Sequence, residues 1–299
     1  MNIKAWLTAF RLRTLPLALA SIGMGSLLAA ANGFFNWLIF IFCALTTVLL
    51  QVLSNLANDY GDTVNGADGA DREGPVRMVQ SGQITLGSMR RAIAIFIILT
   101  LGSGVFLLYL SFGFQREAFL FFFVLGILAI FAALAYTAGR KPYGYIGLGD
   151  LSVLVFFGII GVLGSYYLYS QQVNLYLLLP AISCGLFSVA VLNINNIRDI
   201  ESDRKAGKYS IPVRVGRHKA ILYHWALLTL GMIAALLYTF LFYESWTQLL
   251  FLITVPLLVV NGKAVKTKTT PGALDPYLKQ MALSTLLFVI LFGVGNLVA

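Results

Sequence analysis

The chain has 299 residues, 59% of them hydrophobic and only 11% charged, with a mean hydropathy of +0.84. A soluble domain carries about 25% charged residues, and this chain has too little polar surface to cover a water-soluble globule, so lipid is the expected solvent. The net charge of +9 suits the basic loops of a membrane protein, and no nucleic-acid partner is expected. In chain order, nine apolar stretches of spanning length fall at about 14–31, 35–57, 90–112, 117–137, 148–169, 175–195, 219–242, 246–262 and 279–298. Their continuous apolar runs argue against the alternating pattern of a β-barrel. The expected fold is an all-α, polytopic membrane protein of nine transmembrane helices, with residues 1–299 forming one domain.

Charge sets the orientation. With the N-terminus in the cytoplasm, 20 of the 21 Lys and Arg residues fall on the cytoplasmic side, and Arg116 alone lies outside. The C-terminus is then outside. Lys4, Arg11 and Arg13 before an apolar run ending Ala29-Ala30-Ala31 also resemble a secretory signal, against which stands the functional look of Arg11 to Pro16. Cys43 and Cys184 lie inside separate apolar stretches and read as buried hydrophobes. His218 and His224 stand near the start of one stretch and read as interfacial rather than as metal ligands.

Acidic residues are the anomaly. Eight of the chain's 12 lie in two loops, and carboxylates beside a membrane need a reason. Both loops carry Asn-x-x-x-Asp, as Asn55–Asp59 and Asn195–Asp199, offset by 140 positions, and both carry Pro-Val-Arg, at residues 75–77 and 212–214. This suggests two parallel four-helix halves, roughly 1–140 and 141–278, plus a ninth helix. Asn55, Asp59 and Asp62 fall at i, i+4 and i+7, and Asn195, Asp199 and Asp203 at i, i+4 and i+8, so each set shares one face of a helix. Gly61 and Gly66 should then loosen the backbone and fold Asp68 and Asp71 back in a loop. Two facing stripes of hard oxygen ligands suit Mg²⁺, which completes its shell with water and substrate phosphates. Arg and Lys residues in the same loops turn a cation site into a site for a metal–diphosphate complex.

At these residues the chain resembles the UbiA-type intramembrane prenyltransferases. The first motif reads Asn58-Asp59-Tyr60-Gly61-Asp62, with Asp68 beyond it, and the second Asn195-Asn196-Ile197-Arg198-Asp199-Ile200-Glu201-Ser202-Asp203. The family form of the first motif is NDxxDxxxD. The longer gap from Asp62 to Asp68 resembles the branch that prenylates 1,4-dihydroxy-2-naphthoate in menaquinone synthesis. So do Arg13-Thr14-Leu15-Pro16, Gly74-Pro75-Val76-Arg77, Tyr136-Thr137, Pro142-Tyr143-Gly144-Tyr145 and Gly147-Leu148-Gly149-Asp150. The resemblance implies transfer of a polyprenyl group from its diphosphate to that acceptor, with loss of diphosphate and CO₂, in a bacterial plasma (inner) membrane with the active-site mouth facing the cytoplasm. No obligatory protein partner is evident.

Asp59, Asp62, Asp199 and Asp203 are the candidate catalytic and metal-binding residues. Asn55 and Asn195 would orient ligands or donate to phosphate. Arg77, Lys141 and Arg13 would stabilise charge on the departing diphosphate. Tyr136 and Tyr143, with Tyr145, offer π faces to an allylic cation. Other aromatic acceptors, such as 4-hydroxybenzoate or homogentisate or a haem vinyl group, remain open within the enzyme reading. A secondary transporter with duplicated halves is the alternative of a different class.

Overall fold

The computed structural model describes residues 2–66, 77–139 and 142–299, and among these every regular element is helical. Among the described residues nine helices are long and apolar enough to cross a membrane. The chain opens with the short helix α1 (Ile3–Phe10). A 3₁₀ turn over Leu12–Thr14 joins it to α2 (Leu15–Ala31), which carries Pro16 in its first turn, where a missing N–H costs nothing. Then come α3 (Trp37–Val64), α4 (Leu86–Phe112) and α5 (Arg116–Ala135). The second part holds α6 (Gly149–Ser170), α7 (Leu175–Arg198), the short α8 (Ile200–Lys205), α9 (Ile211–Leu241), α10 (Trp246–Thr267) and α11 (Pro271–Leu297).

Several helices outrun their apolar stretches. At 1.5 Å per residue the 28 residues of α3 span about 42 Å, against a hydrocarbon layer of about 30 Å. The polar last turns of α3, which carry Asp59 and Asp62, therefore project past the apolar zone while staying helical. Gly61 does not loosen this end, contrary to the sequence expectation. It lies inside α3, and a Cβ there would come within 2.7 Å of Thr137. Its lack of a side chain lets α3 meet Thr137. Gly66, at φ +68°, is where the backbone turns.

The main core gathers α2, α7, α9, α10 and α11 around Met24, Leu28, Phe187, Phe251, Phe288 and Phe292, all at most 1% exposed. In α5, by contrast, only Ile130 is buried. Phe121 and Phe131 are each 66% exposed, as expected of a face that lies in lipid. Close helix packing without a hydrophobic driving force needs small residues. Gly158 of α6 and Gly185 of α7 supply one such crossing, where an added Cβ on Gly158 would meet the Ala181 carbonyl at 2.7 Å. This crossing falls within a stretch where α6 widens into a π-helix, Leu154–Gly164.

His224 corrects its expectation. Because α9 begins at Ile211, the histidine lies well inside the helix and is fully buried, whereas His218 is exposed. His224 Nε2 pairs with Asn261 Oδ1 at 2.9 Å, and Asn261 Nδ2 donates to the Tyr277 carbonyl at 2.9 Å. Polar groups inside a bundle are tolerated when they are satisfied across helices, and here the chain of bonds ties α9 to α10 and α11. Cys43 and Cys184 are buried and free, as the sequence suggested.

Candidate active site

One cavity of about 490 Å³ runs between the helices. Its far end is apolar, walled by Leu101, Leu107, Phe122, Phe123, Phe156 and Ile160. Its mouth is polar and charged, where Arg11, Asn55, Asp62, Arg77, Asn196 and Lys208 converge. An apolar chamber with a few convergent polar groups at one end suits an amphipathic substrate.

The first motif is arranged by α1 and the 77–89 segment. Ala5, Ala9, Val52, Leu56, Met78, Val79, Ile84 and Met89 form a second small core that clamps these pieces together. Asn55 donates through Nδ2 to the Phe10 carbonyl at 2.9 Å and to Thr14 Oγ1 at 3.0 Å, so it fixes the α1–α2 turn at the cavity wall. Asp59 accepts the backbone N–H of Met78 at 3.0 Å and of Val79 at 3.3 Å. It thereby anchors the residues that follow Arg77. Asp62 pairs with Arg77 and accepts from the Tyr145 hydroxyl at 2.7 Å. Among the described residues Asp62 is the carboxylate that lines the cavity. The i, i+4, i+7 spacing therefore splits, with Asn55 and Asp62 on the cavity side and Asp59 turned toward the 78–79 backbone.

The second motif bends. Asp199 ends α7 and precedes α8, at φ −97° and ψ 13°, so Asn195, Asp199 and Asp203 do not lie on one straight helix. Asp199 is held from both sides by its neighbour Arg198, with Nε to Oδ1 at 2.7 Å and Nη2 to Oδ2 at 2.7 Å. Asn195 lines the cavity, accepts from Arg198 at 2.8 Å and donates to Asp199 at 3.4 Å. Asp203 receives Lys208 Nζ at 3.2 Å, and its other oxygen is buried with no partner among the described residues. Burial pushes the Asp203 carboxyl up to about 6, with Asp199 and Asp62 adding to the shift and Lys208 opposing it. Burial works against the Lys208 ammonium too, but Asp203, Tyr136, Asp62 and Asp199 more than offset that and hold its pKa above the usual lysine value. Each group therefore holds its proton to a higher pH than the free side chain does, Asp203 because it is buried and Lys208 because carboxylates surround it.

Tyr136 and Tyr143 stand edge to face, with ring centroids 5.3 Å apart, and both line the cavity. A Cβ on Gly144 would touch the Tyr136 ring at 3.0 Å, and one on Gly149 would meet its hydroxyl at 2.9 Å. Burial raises the Tyr136 phenol to about 12 and also raises Tyr143, so both stay neutral. Tyr143 donates to the Ala132 carbonyl at 2.9 Å.

Of the remaining candidates, Lys141 lies outside the described residues, as do Asp68, Asp71 and Glu73. Arg13 is exposed, and it is Arg11 that lines the cavity. The two Pro-Val-Arg tripeptides diverge. Arg77 pairs with a carboxylate, whereas Arg214 donates to the Tyr209 and Ile146 carbonyls at 2.9 and 2.7 Å and pins two loops together. Lys208 was visible in the sequence only as one of many cytoplasmic cations, and Arg198 as one of these and as part of the second motif. Asn196, whose buried Oδ1 lacks a partner among the described residues, was visible only as part of the motif.

Among the described residues no group of three or more His, Cys, Asp and Glu stands close enough to hold a metal by itself. The donor set nonetheless fits a divalent cation that takes part of its shell from phosphate. It offers hard oxygens, and one of them, Asp203 Oδ2, is buried and unpaired among the described residues.

A model of the UbiA prenyltransferase family matches residues 18–296. The chain belongs to this family. Among curated UbiA relatives, the 1,4-dihydroxy-2-naphthoate octaprenyltransferase of Haemophilus influenzae is 46% identical, covering 99% of this chain and 97% of that one. The protein of the same name from Escherichia coli is 45% identical, covering 98% and 94%. Among solved structures, a UbiA homolog from Aeropyrum pernix K1 superposes with a TM-score of 0.67 at 17% identity, covering 96% and 97%. A UbiA homolog from Archaeoglobus fulgidus, solved with GPP and Mg²⁺, gives 0.58 at 15% identity, covering 96% and 100%. At these identities the two structures speak for the UbiA fold alone.

Proposed function

We propose that the chain transfers a polyprenyl group from a polyprenyl diphosphate to 1,4-dihydroxy-2-naphthoate, releasing diphosphate and CO₂ and giving a demethylmenaquinol. One observation carries the reaction type, namely a single cavity that joins a charged mouth to an apolar chamber. The naphthoate acceptor rests on the near-full-length likeness to relatives of that name. With membership of a prenyltransferase family, the transporter alternative falls.

Asp62, Asp199 and Asp203 would hold Mg²⁺ in this reading, while Asp59, the fourth ligand proposed from the sequence, is turned to the 78–79 backbone and braces the first motif. Bound Mg²⁺ would neutralise diphosphate oxygens and make diphosphate a better leaving group. Arg77, Lys208 and Arg11 add positive charge where negative charge grows as the allylic C–O bond breaks. Lys141 and Arg13 remain proposed contributors. Asn55 and Asn195 fix the geometry of the two motifs.

The C–O electron pair leaves with diphosphate, and the allylic cation faces the neutral rings of Tyr136 and Tyr143. The carboxyl-bearing ring carbon supplies the electrons for the new C–C bond. Loss of CO₂ returns the carboxylate's electron pair to the ring, so the step needs no added base. The apolar chamber receives the tail and keeps water from the cation.

The same reading places the protein in the plasma (inner) membrane, with the N-terminus and the cavity mouth cytoplasmic, the C-terminus outside, and residues 1–299 as one domain of two parallel halves plus a ninth helix. Asp199→Ala tests the site in membranes supplied with Mg²⁺, dihydroxynaphthoate and a polyprenyl diphosphate. Turnover should be abolished, and full activity would overturn the role given to the second motif.

A further inference from the structure

Arg198 carries more polar contacts than any part of the chemistry above requires. Its side chain is only 2% exposed, yet all three guanidinium nitrogens are engaged. Nε and Nη2 grip Asp199, Nη2 also reaches Asn195 Oδ1 at 2.8 Å, and Nη1 donates to Asp275 Oδ1 at 2.6 Å. Asp275 lies in the opening turns of α11, far away in sequence, and was one of the scattered carboxylates that neither motif absorbed.

The charges explain why a third group would be needed. Arg198 and Asp199 alone sum to zero, and a divalent cation approaching a neutral pair gains little. A carboxylate has about four lone-pair sites, so the bidentate grip leaves Asp199 able to ligate while cancelling its charge. Asp275 returns one negative charge to the trio. It also tethers Nη1, which keeps the guanidinium from swinging toward a cation bound on the other side of Asp199. Because Arg198 and Asp199 are only 2% and 7% exposed, solvent screens their part of this field weakly. Asp275 is 37% exposed, which moderates its share.

We propose that Asp275 is a positioning residue that sets the divalent-cation affinity of the second acidic motif, acting through Arg198. The proposal rests on the reading of Asp199 as a cation ligand. A bland role is available for comparison. A carboxylate in the first turn of a helix favours the helix dipole, and that alone would alter stability without touching cation binding.

The test uses the purified full chain in lipid nanodiscs, with Mn²⁺ as the paramagnetic probe and inorganic diphosphate present. Free Mn²⁺ is read by electron paramagnetic resonance, and thermal unfolding is recorded alongside. Asp275→Asn should weaken Mn²⁺ binding about tenfold, Asp275→Glu should stay within about twofold of the parent, and turnover of Asp275→Asn should return at saturating Mg²⁺. Should Asp275→Asn not purify, Asp275→Ser carries the same comparison. A variant that lowers thermal stability but binds Mn²⁺ like the parent overturns the proposal. Asp199→Asn distinguishes the underlying reading. If it too leaves Mn²⁺ binding unchanged, the assignment of Asp199 as a ligand fails and the proposal fails with it. If Asp199→Asn loses Mn²⁺ while Asp275→Asn keeps it, only the role of Asp275 fails.

Discussion

Lys208 is the residue on which the charge balance of the cavity mouth turns. It faces the cavity, pairs with Asp203 and sits in the field of Asp62 and Asp199. Lys208→Ala removes the cation that neutralises leaving diphosphate and should lower kcat by about 10²-fold or more, while Lys208→Arg should recover part of that. Initial-rate kinetics with both substrates varied will separate this from a loss of acceptor binding. Asn55 and Asp62 were legible from spacing, because a period of 3.6 brings i and i+7 to one face. The roles of Lys208 and Arg198 and the bond from Tyr145 to Asp62 were not, because they depend on partners more than 60 residues away or across a bend. Arg11 rather than Arg13 lines the cavity, at a residue with a left-handed backbone of φ 49°, a detail that composition does not encode.

The site depends on close approach between elements. Gly61→Ala would drive a methyl group into Thr137, separating the α3 end from the turn that presents Tyr136 and Tyr145. We expect a loss of about 1–3 kcal/mol in stability and a larger loss of turnover, measurable by thermal unfolding beside an activity assay. In the second part, Asn261→Leu would strip His224 Nε2 of its partner and should cost about 1–2 kcal/mol, with little change in the KM for prenyl diphosphate. Hydropathy made the number and rough limits of the spans legible. It missed α1, whose eight residues are too short to cross a membrane, and the last turns of α3 and first turns of α9, which are helical but polar. The π-helical stretch of α6 was also invisible, since its apolar pattern is the same in either helix type.

For the whole molecule, the positive-inside pattern makes a mapping prediction. Cys43 and Cys184 are buried, so a membrane-impermeant maleimide should find little background. Thr269→Cys should be labelled from the cytoplasmic side and Gln115→Cys from the outside; the reverse would invert the proposed topology. The acceptor was legible only through family resemblance, because nothing in the cavity's residue types demands a bicyclic ring. The most direct test of the central claim is therefore a product balance on the purified protein with Mg²⁺, one polyprenyl diphosphate and 1,4-dihydroxy-2-naphthoate. The account predicts one CO₂ and one diphosphate released per prenylated product, with all three abolished by EDTA. Prenylation of 4-hydroxybenzoate alone, without CO₂ release, would contradict it.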